Sequence, residues 1–155
     1  METRNPIFVK PALAEKFERS RKRYRILFFS TPCGCGKTDT VWALVQGHSV
    51  EWRSVREDDV LTRPLGKSKS LVIDDLQILE EECQYLKLVQ LLQNYPGKVF
   101  ILLSRGRVPW CLLPFQAAGL LDTVTMSDLL LDRESAIKVL TVSGEKISTE
   151  EMNAI

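Results

Sequence analysis

The chain has 155 residues, 21 basic and 20 acidic side chains, a net charge of +1 and 45% hydrophobic content. That is the composition of one soluble globular domain with room for a core, not of a disordered or membrane-embedded chain. The charge balance gives no global pull towards nucleic acid or anionic lipid. No apolar run approaches the ~18 residues of a membrane span.

The opening Met1-Glu-Thr-Arg-Asn-Pro6 has no apolar segment with a cleavage site behind it, so no signal peptide is expected. Four cysteines, at 33, 35, 83 and 111, are too few and too irregular for a disulfide framework, which points to a reducing, cytoplasmic setting. The basic run Arg19-Ser-Arg-Lys-Arg-Tyr-Arg25 reads as the solvated face of a helix leading into a strand, in preference to a nucleic-acid patch.

In chain order, Ile26-Leu-Phe-Phe29 is a continuous apolar run, as are Leu71-Val-Ile73 and Val99-Phe-Ile-Leu-Leu103. Such runs suit strands buried on both faces of a parallel sheet. Residues 37–46 follow the first run as a helix closed by Gly47. Residues 50–55 alternate and predict a more exposed strand.

Residues 80–94 predict a helix with Tyr85, Leu88, Val89 and Leu92 on one face, acidic at its start and stopped by Pro96-Gly97. Residues 110–118 suggest a shorter helix after Pro109, and 120–126 a fifth strand. Asp132 looks like the N-cap of a helix over 133–142, terminated by Gly144. The last eight residues hold a cap and an acidic first turn but barely two turns, which suggests a fragment of something longer. His48 has no evident partner, and Trp42, Trp52 and Trp110 are expected in the core. Strands alternating with helices imply a doubly wound α/β sheet.

Chemistry concentrates in Ser30-Thr-Pro-Cys-Gly-Cys-Gly-Lys-Thr38, directly after a buried strand and before a helix. A phosphate-binding loop needs that context: backbone N–H groups and the positive end of a helix cradle the phosphates. Gly34 and Gly36 permit unusual dihedrals, Lys37 can reach the β- and γ-phosphates, and the Thr38 hydroxyl can ligate Mg²⁺. The expected nucleotide-contacting set is Pro32, Cys33, Gly34, Cys35, Gly36, Lys37, Thr38 and Asp39. One departure from G-x-x-x-x-G-K-[ST] is Thr31 in place of the first glycine.

The strand 70–74 ends in Asp74 and Asp75. Asp74, 37 positions after Lys37, is expected to hold Mg²⁺, and Asp75 to polarise the attacking water. Arg105, at the end of the next apolar strand, is a candidate sensor of the γ-phosphate, with a plain surface arginine the competing reading. Cys33 and Cys35 without a second pair do not make a zinc site. As thiols beside a helix N-terminus and a lysine, they are expected to let oxidants or alkylating agents block nucleotide binding.

The phosphate loop, Leu71-Val-Ile-Asp-Asp75 with Gln77 beyond, a strand ending Leu102-Leu-Ser-Arg105 with Pro109 four residues on, and Ala117-Ala-Gly-Leu-Leu-Asp-Thr-Val-Thr-Met-Ser-Asp-Leu129 together resemble the nucleotide-binding domain of MalT-type STAND ATPases. These are LuxR-family bacterial transcription regulators. The resemblance implies an ASCE-type P-loop NTPase domain with a five-stranded parallel sheet in the order 5-1-4-3-2. It implies a switch controlled by ATP/ADP and Mg²⁺, at most a weak ATPase, with Asp75 and Arg105 as its catalytic pair.

It also implies a lead-in segment over 1–25, the nucleotide-binding domain over 26–130 and the start of a helical subdomain over 131–155. Adenine would pack on residues 7–11. Partners would be the nucleotide, other copies of the chain in an ATP-dependent way, and DNA only through modules absent from this chain, with no membrane. A small P-loop kinase and an interaction module without turnover remain alternatives.

Overall fold

The computed structural model describes residues 8–142. Within it, β1 (Ile26–Ser30), β2 (Val50–Ser54), β3 (Ser70–Asp74), β4 (Val99–Ser104) and β5 (Leu121–Thr125) form one all-parallel sheet. The spatial order is β2-β3-β4-β1-β5, which is 5-1-4-3-2 read from the β5 edge. The register sets Ile26 opposite Phe100 and Leu121, and Ser54 opposite Asp74.

Alternate strand residues feed two cores, because successive side chains leave opposite faces of a strand. One face presents Phe28, Ile73, Phe100 and Leu102 to α3 (Glu82–Asn94), through Leu88 and Leu92. The other presents Phe29, Val72, Ile101 and Leu103 to α1 (Pro11–Arg23) and α2 (Lys37–Leu44), through Leu13, Phe17 and Val41. The continuous apolar runs therefore have a direct cause: helices cover both faces.

The helix α1 shows why the lead-in is more than a tether. Pro11 starts it at a position where a missing N–H costs nothing. Leu13 and Phe17, one turn apart, are buried, each contributing roughly 1.5–3 kcal/mol. Ser20 donates to Asp122 Oδ2 at 2.6 Å, tying the helix to β5. Arg25 then donates to the carbonyls of Leu92 (2.7 Å) and Tyr95 (3.2 Å) at the end of α3. In the basic run, Arg21 to Arg23 form the last turn of α1.

Several boundaries move. The second helix stops at Leu44, two residues before the expected end. The third begins at Glu82, because Glu81 and Gln84 form a reciprocal capping box there. The stretch 110–118 divides into a 3₁₀ turn at Trp110–Leu112 and α4 (Leu113–Ala117). The short α5 (Met126–Leu129) follows β5. Asp132 caps α6 (Arg133–Val142), its Oδ1 accepting the Ser135 N–H at 2.7 Å. The expected terminator Gly144, the final eight residues and Ile7 of the adenine segment lie outside the described residues.

Two expectations are corrected. Trp42 and Trp110 are not core: they are 39% and 56% exposed, so both keep much of their ring surface in water. Trp42 packs edge-on against half-buried Trp52 at 5.8 Å. His48 does have a partner, Glu18 Oε1 at 2.8 Å, supplied by α1 across a separation that no local pattern reveals.

Candidate phosphate-binding site at the sheet's carboxyl edge

The ends of β1, β3 and β4 are neighbours at one edge of the sheet, the edge where open α/β sheets bind ligands. Thr31 continues the β1–β4 ladder by one bond, its N–H donating to Ser104 O at 3.2 Å. Its φ is not positive, so the position occupied by glycine in the usual pattern needs no glycine here. Thr31 is buried, and its Oγ1 has no hydrogen-bond partner among the described residues. Ser30 Oγ donates to Gly106 O at 2.8 Å, binding the loop after β1 to the loop after β4.

Beyond Thr31 the backbone turns through Gly34 (φ +83°) and Gly36 (φ +67°), both left-handed conformations that L side chains rarely take. No atom lies within 4 Å of where a Cβ would stand on either glycine, so the space beside the backbone is open. The N–H groups of Cys33, Gly34, Cys35 and Gly36 donate to no other described group. They immediately precede the first turn of α2, so free donors stand at a helix N-terminus, a setting that suits an anion. Pro32 and Cys33 are exposed beside this set, Cys35 is half-buried, and Asp39 lies exposed in the first turn of the helix.

Lys37 and Thr38 occupy the first two positions of α2. Lys37 Nζ reaches Thr31 O at 3.5 Å, a long contact that folds the side chain back over its own loop. Thr38 Oγ1 donates to Asp74 Oδ2 at 2.9 Å. Asp74 is only 8% exposed, and its Oδ1 accepts the Asp75 N–H at 2.7 Å. The structure thus brings Thr38 and Asp74 together, while Lys37 is folded back onto the loop.

Asp75 is directed elsewhere. It adopts φ +62°, ψ +31°, which aspartate tolerates better than most residues. Its Oδ2 accepts from Ser54 Oγ (3.0 Å) and Arg56 Nε (2.9 Å), and its Oδ1 from Gln77 Nε2 (3.3 Å). Burial pushes this carboxyl up, but these donors and the Arg56 charge outweigh it and hold the group below its ordinary range. Gln77 also accepts the Arg105 N–H at 3.3 Å. The Arg105 guanidinium is exposed and makes no bond to any described residue.

Sequence reasoning missed the device beside this site. Arg53, on the β2 edge strand, is 1% exposed. It donates to the carbonyls of Val60 (2.8 Å), Arg63 (2.9 Å) and Pro64 (2.7 Å), and pairs with Glu51 Oε1 at 2.6 Å. These bonds gather the segment between β2 and β3 into a fixed arm. The alternating pattern of 50–55 carried the available signal, an arginine beside a tryptophan on a half-buried strand.

No family model matches the chain, and no curated protein matches it. Among the described residues no helix is long and apolar enough to cross a membrane.

Proposed function

We propose that this domain holds ATP with Mg²⁺ at residues 31–38 and acts as a nucleotide-controlled switch. The observation that carries the reading is the 2.9 Å bond from Thr38 Oγ1 to buried Asp74 Oδ2, beneath a loop of unpaired N–H groups. A glycine-rich turn alone would not need a helix hydroxyl and a carboxylate from the end of another strand to meet at the helix start.

The residues fit the cation. A hydroxyl and one carboxylate oxygen, with phosphate and water completing the shell, are how Mg²⁺ is commonly held. Among the described residues there is no group of three or more His, Cys, Asp or Glu side chains that would favour a metal held by protein alone. When bound, the cation neutralises charge on the β- and γ-phosphate oxygens. The loop N–H groups orient the phosphates, Lys37 swings from Thr31 O to meet them, and Arg105 reads the γ-phosphate. Asp75, engaged by Arg56, is poorly free to take a proton from water, which suits slow turnover.

The wider role is that of a regulatory domain in a signal-responsive transcription regulator of the MalT type, with self-association that depends on ATP. Support for it comes from the sequence resemblance. The kinase reading gains nothing: Arg105 and Arg107 are the only close basic pair after β4. Titration with a fluorescent ATP analogue, with Mg²⁺ and with chelator, tests the nucleotide reading. Binding strengthened by Mg²⁺ is expected, and no binding at millimolar nucleotide would overturn it.

A further inference from the structure

We propose that Arg56 is a positioning residue that parks Asp75 away from the phosphate loop and so lengthens the time ATP stays intact. The proposal rests on the ATP-binding reading above.

The two adjacent carboxylates diverge. Asp74 reaches Thr38 at 2.9 Å, whereas both donors to Asp75 Oδ2, Ser54 and Arg56, come from the end of β2. In the order β2-β3-β4-β1, that is the side of β3 facing away from the strand that carries the loop. A left-handed aspartate persists only where its surroundings over-determine it. Here three donors hold its carboxylate, and its own N–H is fixed on Asp74 Oδ1.

The arm bearing Arg56 has a firm base. Arg53 anchors it through three carbonyls, and Glu57 ties it by accepting from the Ser54 N–H (2.9 Å) and Arg63 Nη2 (3.2 Å). Arg56 itself is different, because its side chain is 63% exposed. An ion pair that open to water is readily broken and remade. A rigid base with a releasable tip is what a brake needs. Gln77, bonded both to Asp75 and to the Arg105 N–H, connects the parked acid to the end of β4.

The step being restrained is hydrolysis. Water oxygen forms a bond to the γ-phosphorus, the bond from that phosphorus to the β–γ bridging oxygen breaks, and ADP leaves with the electron pair. Asp75 accepts the proton that the water gives up. A carboxylate oxygen taken by a guanidinium and a hydroxyl from the end of β2 is directed away from that proton.

Single-turnover ATP hydrolysis and ATP affinity should be measured on wild type, Arg56→Ala, Arg56→Lys and the Arg56→Ala/Asp75→Asn double variant. Arg56→Ala is expected to hydrolyse about threefold faster, on the scale of what an ion pair this exposed can restrain, with unchanged ATP affinity. Arg56→Lys keeps the charge without the fork and should fall between. The double variant should lose the gain. An Arg56→Ala rate at or below wild type, or a gain that survives Asp75→Asn, overturns the proposal while leaving ATP binding standing. Absence of ATP binding by wild type would remove both.

Discussion

Thr38 and Asp74 lie 36 positions apart in the chain and meet at 2.9 Å, hydroxyl to carboxylate, where α2 begins and β3 ends. One strand, β4, stands between β3 and β1, so the contact joins the end of β3 to the start of the helix that follows its second neighbour. The contact makes Asp74 a buried acid whose principal side-chain donor is the hydroxyl that would face the cation.

Removing that hydroxyl is the first test. Thr38→Val should destabilise the ligand-free protein by about 1–2 kcal/mol, because a buried carboxylate loses a donor. It should also abolish the effect of Mg²⁺ on ATP affinity. Urea unfolding and paired titrations with and without chelator would read the two effects separately.

The buried Arg53 predicts a larger loss. Arg53→Met leaves three carbonyls without their donor and Glu51 with only the Gly66 N–H, and breaking such a buried set costs about 3–5 kcal/mol. Arg53→Lys should rescue little, since one ammonium cannot reproduce the guanidinium fork. Urea midpoints of the two variants would check this.

Much of this was legible in the sequence. The three continuous apolar runs became β1, β3 and β4, because helices on both faces remove the need for a polar side. The loop 31–38 likewise carried its own context. Arg53 and the Glu18–His48 pair were not legible, because their partners come from tertiary folding that leaves no periodicity. The directions of Asp74 and Asp75 were equally hidden. Adjacent in sequence, they part at the end of β3, where Asp75 turns left-handed and is held by donors from the end of β2.

The acid limb of stability should report Asp75. Its folded pKa lies below the ordinary 3.8, so its contribution is fully present above that value and is lost as pH falls through the lowered one. Arg56→Ala should therefore be slightly less stable than wild type at neutral pH, by under about 1 kcal/mol for so exposed a pair. The gap should close in acid. Urea midpoints at neutral and acid pH would show whether it does.

Thiol labelling should follow exposure. Cys33 and Cys83 are exposed, Cys35 is half-buried, and Cys111 is buried, its thiol pushed up by that burial. Mass spectrometry after limited alkylation is expected to find Cys33 and Cys83 modified first and Cys111 last. Alkylation of Cys33 and Cys35 should block ATP binding, and unchanged affinity after full labelling would contradict that.

Whether residues 31–38 hold the phosphates of ATP is decided by Lys37→Ala. Isothermal titration should show wild type binding Mg²⁺·ATP and the variant binding at least about a hundredfold more weakly, the scale of losing a charge-assisted contact to phosphate. The two proteins should share the same thermal melting curve without nucleotide. Equal ATP affinity in wild type and Lys37→Ala would contradict the account.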